Sequence, residues 1–530
     1  MAAQPRHATL RAMELYEATA TELQHLLAKG ETSSAEVVEA LIARRRDVDD
    51  RVRAFVVNLD DAARAKARQC DMERKTGTTQ GVLHGLPLTI KENIDVLGLD
   101  STMGLSHRQG QPAARDAVTV SILRDHNAIF LGKTNVPQLL LAQESENVLW
   151  GITHNPWNLK RSPGGSSGGE AAAIASGQSP FGIGTDIGGS VRIPCHFCGI
   201  AGLKPTVDRW SNRGSVTGIA GQELVRAQMG PMARSVSDLA LLMRAVDPLV
   251  ACQRDPAVPP LAFPADLPDV RGLRIGVFAD DGFLRPNPAI ARAVQLAREA
   301  LVAAGAVVVD YTPPEPELMY VWLAGISSDG GATLRAAVGR DPVVRQLQNT
   351  MKIARLPGLV RKALAKAMLA RGDRRTGRLL QALGEKPVAT YWQLTDQRTQ
   401  LRRTEFDAWN AAGLDAVLCP PHALPAMPLG TSGDLTLSLS YAFRYVMLNF
   451  PAGVVPVTRV KDDETERPAA ADRLEKACAA AEVGSEGLPV GVQVVARPYR
   501  EDVVLRAMAA IEAGVRGALL YPGTPVEPLG

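Results

Sequence analysis

Two runs of glycine and serine, preceded in the chain by a lysine that ends an apolar stretch, constrain this sequence more than any other feature. The first run is Gly-Gly-Ser-Ser-Gly-Gly at residues 164–169, the second is Gly188-Gly189-Ser190, and the lysine is Lys91. Because glycine lacks a Cβ, such a backbone can turn sharply and direct several N–H groups at one oxygen atom. The pattern predicts tight loops that bring hydroxyl groups next to backbone donors, as an acyl-transfer centre without histidine would need.

The composition is that of a globular protein with a large core. Of the 530 residues, 46% are hydrophobic and 22% are charged, so the chain has neither a disordered nor a fibrous bias. The formal net charge of +3 is too small over this length to indicate a nucleic-acid partner. We therefore expect no nucleic acid among its partners.

The cysteines and the N-terminus indicate a reducing compartment. Six scattered cysteines are too few for a disulfide framework, and Cys195 and Cys198 have no second pair at metal-ligand spacing. Charges at Arg6, Arg11 and Glu14 interrupt any apolar segment at the start of the chain. We expect a cytoplasmic protein without a signal peptide, a transmembrane helix or a metal site.

Hydrophobic periodicity predicts alternating helices and strands, and therefore an α/β fold with a mixed sheet. Two amphipathic helices are expected within residues 18–55, and an Ala-rich helix over residues 169–175. Strands are expected at residues 86–90, 128–132, 180–184, 273–278, 306–309, 416–419 and 488–495. The Ala- and charge-rich stretch over residues 461–486 indicates an exposed insertion.

Three motifs together resemble the amidase signature family. They are Lys91 with its neighbours, the glycine-serine run around Ser166, and the stretch over residues 184–190 that is followed by Gly-Leu-Lys-Pro-Thr at residues 202–206. The resemblance extends from about residue 81 to about residue 506 and is greatest to the branch of that family that acts on fatty acid amides. It implies an α/β fold in which a large mixed β-sheet core is covered by α-helices on both faces.

The resemblance also implies one domain over residues 1–530. Its parts would be an N-terminal helical region, a catalytic core, a substrate-facing region with a basic cap helix, and a C-terminal return to the core, at residues 1–80, 81–245, 246–440 and 441–530.

Catalytic roles follow from the same resemblance. Ser190 would be the nucleophile, Ser166 a hydroxyl that relays the proton, and Lys91 the general base and later the general acid. Ser167 is the alternative to Ser166, and only the family register separates the two. Since a lysine acts as a base only when neutral, the site must lower the pKa of Lys91, and the apolar stretch before it suits such burial.

The loop around the nucleophile would stabilise the developing oxyanion. The resemblance implies an oxyanion hole made by the N–H groups of Ile187, Gly188, Gly189 and Ser190. It assigns Asp186 and Arg192 a supporting role, in which their hydrogen bonds hold the loop. No metal or organic cofactor is implied.

A leucine run indicates the substrate class. Leu139, Leu140 and Leu141 stand where the family places part of its acyl-binding wall, although such a run is more often simply core. If they line the pocket, a hydrophobic acyl chain of medium or long length is favoured, since each buried methylene contributes about 0.8 kcal/mol.

A basic segment predicts contact with a membrane. Residues 351–378 combine nine basic side chains with apolar residues at helical spacing, and Asp373 is their one acidic residue. The pattern is typical of a basic amphipathic helix, which lies on an anionic membrane surface or covers a core.

The prediction is therefore a serine amidase that cleaves N-acyl amides with a fatty acyl group into a carboxylic acid and an amine. An aryl-acylamide, carbamate or ester hydrolase, a glutamine amidotransferase subunit and a noncatalytic membrane-surface module stay open as alternatives. A small-molecule N-acyl amide, a membrane surface and a second copy in a homodimer are the expected partners.

Overall fold

The computed structural model describes residues 14–467 and 472–529, and within them eleven strands form one large mixed sheet. The strands are β1 (Phe55–Asn58), β2 (Pro87–Lys91), β3 (Ile129–Thr134), β4 (Glu146–Asn147), β5 (Gly151–Ile152), β6 (Phe181–Asp186), β7 (Ala201–Lys204), β8 (Gln228–Ala233), β9 (Arg274–Val277), β10 (Val307–Asp310), β11 (Ala416–Cys419), β12 (Ala452–Arg459) and β13 (Pro489–Ala496). The order in the large sheet is β1-β3-β2-β6-β8-β7-β12-β13-β11-β9-β10, and β4 pairs separately with β5.

Helices surround this sheet, so the predicted α/β class with a mixed sheet is confirmed. They are α1 (Ala20–Lys29), α2 (Ser34–Val52), α3 (Asp60–Lys75), α4 (Val118–Asp125), α5 (Gly168–Ala175), α6 (Arg192–Cys198), α7 (Val236–Ala245), α8 (Pro248–Ala251), α9 (Pro288–Ala303), α10 (Met319–Ile326), α11 (Ala332–Val338), α12 (Arg345–Arg355), α13 (Gly358–Ala370), α14 (Arg374–Ala382), α15 (Val388–Ala412), α16 (Ser440–Met447), α17 (Arg473–Glu482) and α18 (Glu501–Val515).

Three parallel strands bring Lys91 and the glycine-serine motifs together at the carboxyl ends of the strands. β2 lies between β3 and β6 and runs parallel to both, so the carboxyl ends of all three strands meet at that edge. Lys91 ends β2, Thr134 ends β3 as its register partner, and Asp186 ends β6. The glycine-serine run enters α5 beside them. Ligand sites in α/β proteins commonly form at such carboxyl ends.

The helices and strands predicted from periodicity are confirmed, with small shifts at their ends. α1 and α2 begin with capping boxes at Thr19 and Ser33, which satisfy the free N–H groups of the first turns. The periodicity did not predict β1 at the edge of the large sheet, the short pair β4 and β5, or the three central strands β7, β8 and β12. The sequences of the three central strands contain glycine, proline and small residues, and pairing on both sides in the middle of the sheet determines their extended conformation.

Two predictions about the second half of the chain are wrong. Residues 461–486 are not simply an exposed insertion, because α17 buries Leu474, Cys478 and Glu482, while residues 468–471 lie outside the described part of the chain. Residues 351–378 do not form one helix either. They belong to α12, α13 and α14, which are separated by Leu356-Pro357 and by a turn at residues 371–373.

The predictions about the N-terminus are only partly covered, since Arg6 and Arg11 lie outside the described residues. Over residues 14–467 and 472–529, no helix combines the length and the apolar character that a membrane span requires.

Candidate active site

Lys91 lies at the centre of the site, wholly buried at the end of β2. Its Nζ donates hydrogen bonds to Ser166 Oγ at 2.8 Å and to Thr185 Oγ1 at 2.8 Å, and it lies 3.3 Å from the Thr185 carbonyl oxygen. Burial lowers the pKa of Lys91 to about 7, even though the nearby carboxylates of Asp186, Glu170 and Glu92 act in the opposite direction. A lysine with such a pKa can exchange a proton near neutral pH.

The two adjacent serines have different partners. Ser166 follows a cis peptide bond from Gly165, and its hydroxyl faces Lys91. The Ser167 hydroxyl instead donates to the Thr185 carbonyl oxygen at 3.3 Å. Ser167 also joins the two loops, because its N–H donates to the Ser190 carbonyl oxygen at 3.1 Å. The geometry therefore favours Ser166 over Ser167 as the hydroxyl next to the lysine.

A buried ion pair holds the loop that carries Ser190. Arg192 binds Asp186 with two nitrogens, Nε at 2.9 Å and Nη2 at 3.0 Å, and both side chains are inaccessible to solvent. The second terminal nitrogen of Arg192 donates to Gln493 Oε1 at 2.7 Å on β13. Burial alone would raise the pKa of Asp186, but the Arg192 guanidinium lowers it overall. The loop is thus anchored to the middle of the sheet.

The structure changes one part of the predicted oxyanion hole. The Gly189 N–H donates to Asp186 Oδ1 at 2.7 Å, so this donor is used inside the loop. In the described part of the chain, the N–H groups of Ile187, Gly188 and Ser190 have no hydrogen-bond partner. These three donors are available to an oxyanion, whereas Gly189 shapes the loop.

Gly189 is required by its conformation and by its neighbours. Its φ of +118° lies in the region that side chains avoid, and an added Cβ would lie 2.6 Å from Ile193 Cδ1 and 2.8 Å from Ala442 Cβ. The loop therefore passes close to α6 and α16 and tolerates no larger residue at this position.

Two aromatic residues that the sequence analysis did not identify support the same loop. Trp322 on α10 donates from Nε1 to the Ile187 carbonyl oxygen at 3.0 Å. Its ring stacks on Phe443 of α16, with centroids 4.2 Å apart and planes inclined by 17°. No signal near either residue in the sequence relates it to Ser190, because α10 and α16 reach the loop only through the fold.

A cavity of about 640 Å³ opens beside Ser190. Part of its wall is apolar and part is polar. The apolar residues include Ile187, Ile193, Trp322, Leu323, Ile326, Leu379, Leu383, Leu439, Phe443 and Leu474. The polar residues include Gln143, Gln346, Asn349, Thr350, Ser432, Asp434 and Thr436. Such a cavity can hold an extended ligand with an apolar part and a polar part.

The structure separates the three leucines that the sequence analysis predicted as an acyl-binding wall. Leu140 and Leu141 line the cavity, but Leu139 is 1% exposed and packs with Met103 and Leu105 in a separate core cluster. Its N–H donates to the Met103 carbonyl oxygen, which holds the turn with this side chain facing the core.

One cluster away from this cavity has metal-ligand chemistry. Cys70, Glu73 and His84 place ligand atoms within 4.8 Å of one another. However, His84 Nδ1 already accepts the Gln80 N–H at 3.1 Å, and the Asn127 amide donates to Glu73 at 3.4 Å. The cluster is thus a hydrogen-bonded network whose ligand atoms have protein partners.

Comparison with known proteins agrees with this geometry. The profile of the family described as Amidase matches residues 36–505. The chain belongs to the amidase signature family. It is therefore an amidohydrolase, and the resemblance found in the sequence motifs is confirmed.

Within the amidase signature family, the chain is similar to fatty acid amide hydrolases. Fatty-acid amide hydrolase 1 of Sus scrofa is 39% identical over 462 residues, which cover 86% of this chain and 79% of that protein. Fatty acid amide hydrolase 1 of Caenorhabditis elegans is 34% identical over 507 residues, covering 94% and 88%. A solved structure of fatty acid amide hydrolase superposes with a TM-score of 0.82 at 28% identity, covering 94% of this chain and 85% of that one.

Proposed function

We propose that this amidohydrolase is a serine amidase that cleaves N-acyl amides with a medium or long fatty acyl group. The observation that carries the proposal is the buried Lys91, whose Nζ contacts the Ser166 hydroxyl at 2.8 Å beside the cavity that Ser190 lines. Lys91, Ser166 and Ser190 would form the catalytic triad, and no cofactor takes part in the proposed steps.

The proposed reaction begins with attack of Ser190 Oγ on the amide carbonyl carbon. The Ser190 proton passes to Ser166, whose own proton passes to Lys91. The carbonyl oxygen becomes an oxyanion that accepts hydrogen bonds from the N–H groups of Ile187, Gly188 and Ser190, each worth about 3 kcal/mol in the barrier. Protonated Lys91 then returns its proton through Ser166 to the nitrogen, and the C–N bond breaks.

The products are then released in two stages. The amine leaves first, and the acyl group remains as an ester on Ser190. Water attacks this acyl-enzyme while Ser166 and Lys91 take its proton. The same proton then returns through Ser166 to Ser190 Oγ as the acyl–oxygen bond breaks, which frees the carboxylic acid and restores Ser190. An amine leaves readily only after its nitrogen has been protonated. A lysine of intermediate pKa is suited to this step, because it can both take up a proton and give it back near neutral pH.

The apolar wall of the cavity is an argument for a substrate with a fatty acyl group. Leu379 and Leu383 of the α14 region, Leu474 of α17 and Trp322 with Phe443 offer hydrocarbon contacts close to the nucleophile loop. The similarity to fatty acid amide hydrolases of two animals points to the same substrate class.

The test is hydrolysis of N-acyl amides of increasing chain length, with matched esters, carbamates, aryl acylamides and glutamine. We expect the highest kcat/KM for the longer acyl amides, and loss of activity in Ser190→Ala and Lys91→Ala. Activity that survives in Ser190→Ala would overturn the mechanism.

Other outcomes of this series identify the alternatives. A preference for aryl acylamides, carbamates or esters would move the assignment to another hydrolase of the family. Release of ammonia from glutamine would indicate an amidotransferase subunit. A chain that turns over nothing and does not react with a serine-directed fluorophosphonate would be a noncatalytic module.

We also propose that α13 contacts an anionic membrane surface. Leu359 of this helix is 84% exposed, Val360 and Leu364 are also exposed, and Lys362 and Lys366 lie exposed among them. Exposed apolar side chains next to lysines are typical of helices that lie in a membrane interface.

The rest of the basic segment takes a smaller part than the sequence predicted. Arg361 is buried, Arg374 and Arg378 pair with Glu317, and Arg375 pairs with Asp472. Lys362 and Lys366 of α13 stay exposed, as do Lys352, Arg355 and Arg371 on either side of it, so exposed cations accompany the apolar side chains of this helix.

Sedimentation with vesicles tests this contact. The wild type should bind vesicles that contain an anionic phospholipid, and binding should weaken with salt. Leu359→Ser with Leu364→Ser should reduce binding at least tenfold, whereas Leu519→Ser, at a position 92% exposed, should not. Unchanged vesicle binding in the double variant would overturn the proposal. If analytical ultracentrifugation without vesicles shows that the double variant has a smaller sedimentation coefficient than the wild type, the exposed leucines would belong to the interface of the predicted homodimer instead.

A further inference from the structure

Glu170 is a wholly buried carboxyl group in the first turn of α5 that the proposed reaction steps do not use. It accepts hydrogen bonds from the hydroxyls of Thr89 and Thr134, the latter at 2.6 Å. In the described part of the chain, no cation lies within hydrogen-bonding distance of its carboxyl group. A buried carboxyl with hydroxyl partners alone is unusual, because burial strongly disfavours its charged form.

The surrounding strands give this carboxyl group a dedicated site. Thr89 precedes Lys91 by two residues on β2 and so points to the same face, and Thr134 is the register partner of Lys91 on β3. Gly182 of β6 makes room, since an added Cβ there would lie 1.7 Å from Glu170 Oε1. Glu170 is therefore held by the same strand ends that position Lys91.

Two other carboxylates act on Lys91, but each has its own partners. Asp186 of β6 is paired with Arg192. Glu92, next to Lys91 in the chain, accepts the Met103 N–H at 2.9 Å and the Thr102 hydroxyl at 2.9 Å. Within the described residues, Asp186, Glu170 and Glu92 are the charged groups that raise the pKa of Lys91. Lys91 is in turn the charged group that lowers the pKa of Glu170.

We propose that Glu170 is a positioning residue for Lys91, whose carboxylate stabilises the protonated lysine that forms when Ser190 attacks. The proposal rests on the proposed role of Lys91 as the base. In a buried site, nearby negative charge stabilises the ammonium formed in that step. Asp186 also acts on Lys91, but it is shared with Arg192 in an ion pair, whereas no cation in the described residues pairs with Glu170. Glu170 supplies this charge without a hydrogen bond to Nζ, so the lysine stays free to contact Ser166.

The titration behaviour of the pair supports this arrangement. Burial raises the pKa of Glu170 to about 7, although the two threonine hydroxyls and Lys91 lower it. Since the pKa of Lys91 is lowered to about the same value, the two groups titrate together over the same pH range. Loss of the carboxylate should therefore lower the pKa of the lysine further.

The test is the rate of covalent labelling by a fluorophosphonate between pH 5 and pH 9, which needs the base but no knowledge of the substrate. Labelling of the wild type should rise with pH through the titration of Lys91. Glu170→Gln, which keeps the size and removes the charge, should move the midpoint to lower pH by about one unit and lower the plateau at least tenfold.

Two further variants keep the test decisive. Glu170→Asp restores the charge and should return the midpoint towards the wild-type value. Thr134→Val keeps the shape but removes a donor to the carboxylate, so it should shift the midpoint in the same direction as Glu170→Gln, and it provides the answer if Glu170→Gln does not fold.

The outcomes distinguish failure of the proposed role of Glu170 from failure of the proposed role of Lys91 as the base. A lower plateau with an unchanged midpoint in Glu170→Gln and Thr134→Val would mean that Glu170 only packs, which overturns the proposal. Equal labelling of wild type and Lys91→Ala at every pH would instead overturn the role of Lys91 itself.

Discussion

At the residue scale, the burial of Lys91 disfavours its charged form and thereby gives it the lowered pKa that the proposed proton transfer needs. Its side chain is inaccessible to solvent, and its Nζ contacts two hydroxyls and a carbonyl oxygen. The sequence analysis could predict that the lysine would be buried, because an apolar strand precedes it. It could not predict Thr185 as a partner, since the contact joins β2 to β6.

The first prediction concerns the pH dependence of activity. The pKa of Lys91 is lowered to about 7, and only the neutral amine can accept the Ser166 proton. We expect kcat/KM to rise with pH through a midpoint near 7, and Lys91→Met to lower it by at least about 100-fold. A pH–rate profile on one amide substrate measures both, and a profile that is flat from pH 6 to pH 8 would contradict the assignment.

The second prediction concerns the buried pair of Asp186 and Arg192. Arg192→Met removes the cation and leaves a buried carboxylate uncompensated, so the free energy of unfolding should fall by about 3–5 kcal/mol. Arg226→Met removes a partner of Asp208 at 2.7 Å, but Arg226 is 37% exposed, so its effect should stay below about 1 kcal/mol. Urea denaturation measures both variants, and equal losses would mean that burial does not determine the contribution of the pair.

At the element scale, the cavity depends on helices far apart in the chain. Residues of α10, α12, α14, α16 and α17 line it, and α17 lies in a stretch whose composition indicated an insertion. Periodicity identifies a helix, but it does not indicate what the helix covers. Only the fold, in which Arg375 of α14 forms an ion pair with Asp472 at the start of α17, makes α17 a wall of the cavity.

The third prediction uses this wall. Ala477 of α17 lines the cavity, so Ala477→Phe should fill space that a long acyl chain would occupy. Loss of contact with two methylenes corresponds to about 1.6 kcal/mol, so kcat/KM for long acyl amides should fall about tenfold while short ones keep their rate. Ala480→Phe on the exposed side of the same helix is the control, and an equal loss in both variants would contradict the cavity assignment.

At the scale of the whole molecule, the C-terminal part of the chain completes the middle of the sheet. β13 lies between β12 and β11, and His196 of α6 accepts the Gly491 N–H of β13 at 3.0 Å. Residues from both halves of the sequence thus share one sheet. The division of residues 1–530 into four parts of a single domain stays a prediction.

The fourth prediction concerns the pH dependence of stability. Burial lowers the pKa of His196 to about 4 and that of His422 to about 3, below the value of about 6.5 in an unfolded chain. Between these values the unfolded chain binds more protons, so each histidine should lower the free energy of unfolding by roughly 2 kcal/mol as pH falls from 7 to 5.

Comparison of variants isolates this contribution. His422→Asn should reduce the stability lost between pH 7 and pH 5 by about 2 kcal/mol, while the exposed His25→Asn should leave the loss unchanged. Urea denaturation at the two pH values measures the difference, and an unchanged loss in His422→Asn would show that this histidine is not held neutral by the fold.

The sequence by itself determined the family, the α/β class and the positions of Lys91, Ser166 and Ser190. Their glycine-rich loops are local features, and a backbone without Cβ atoms leaves a pattern that can be read along the chain. The family register had favoured Ser166 over Ser167, and the tertiary structure shows that the Ser166 hydroxyl is the one that contacts the lysine. Only the tertiary structure decided which N–H groups of the loop lack a partner in the described residues, and that Leu139 packs in the core. Glu170, Thr185, Trp322 and Phe443 also became part of the site only through the fold. Their contacts join strands and helices that are distant in sequence, and no local pattern records such pairings.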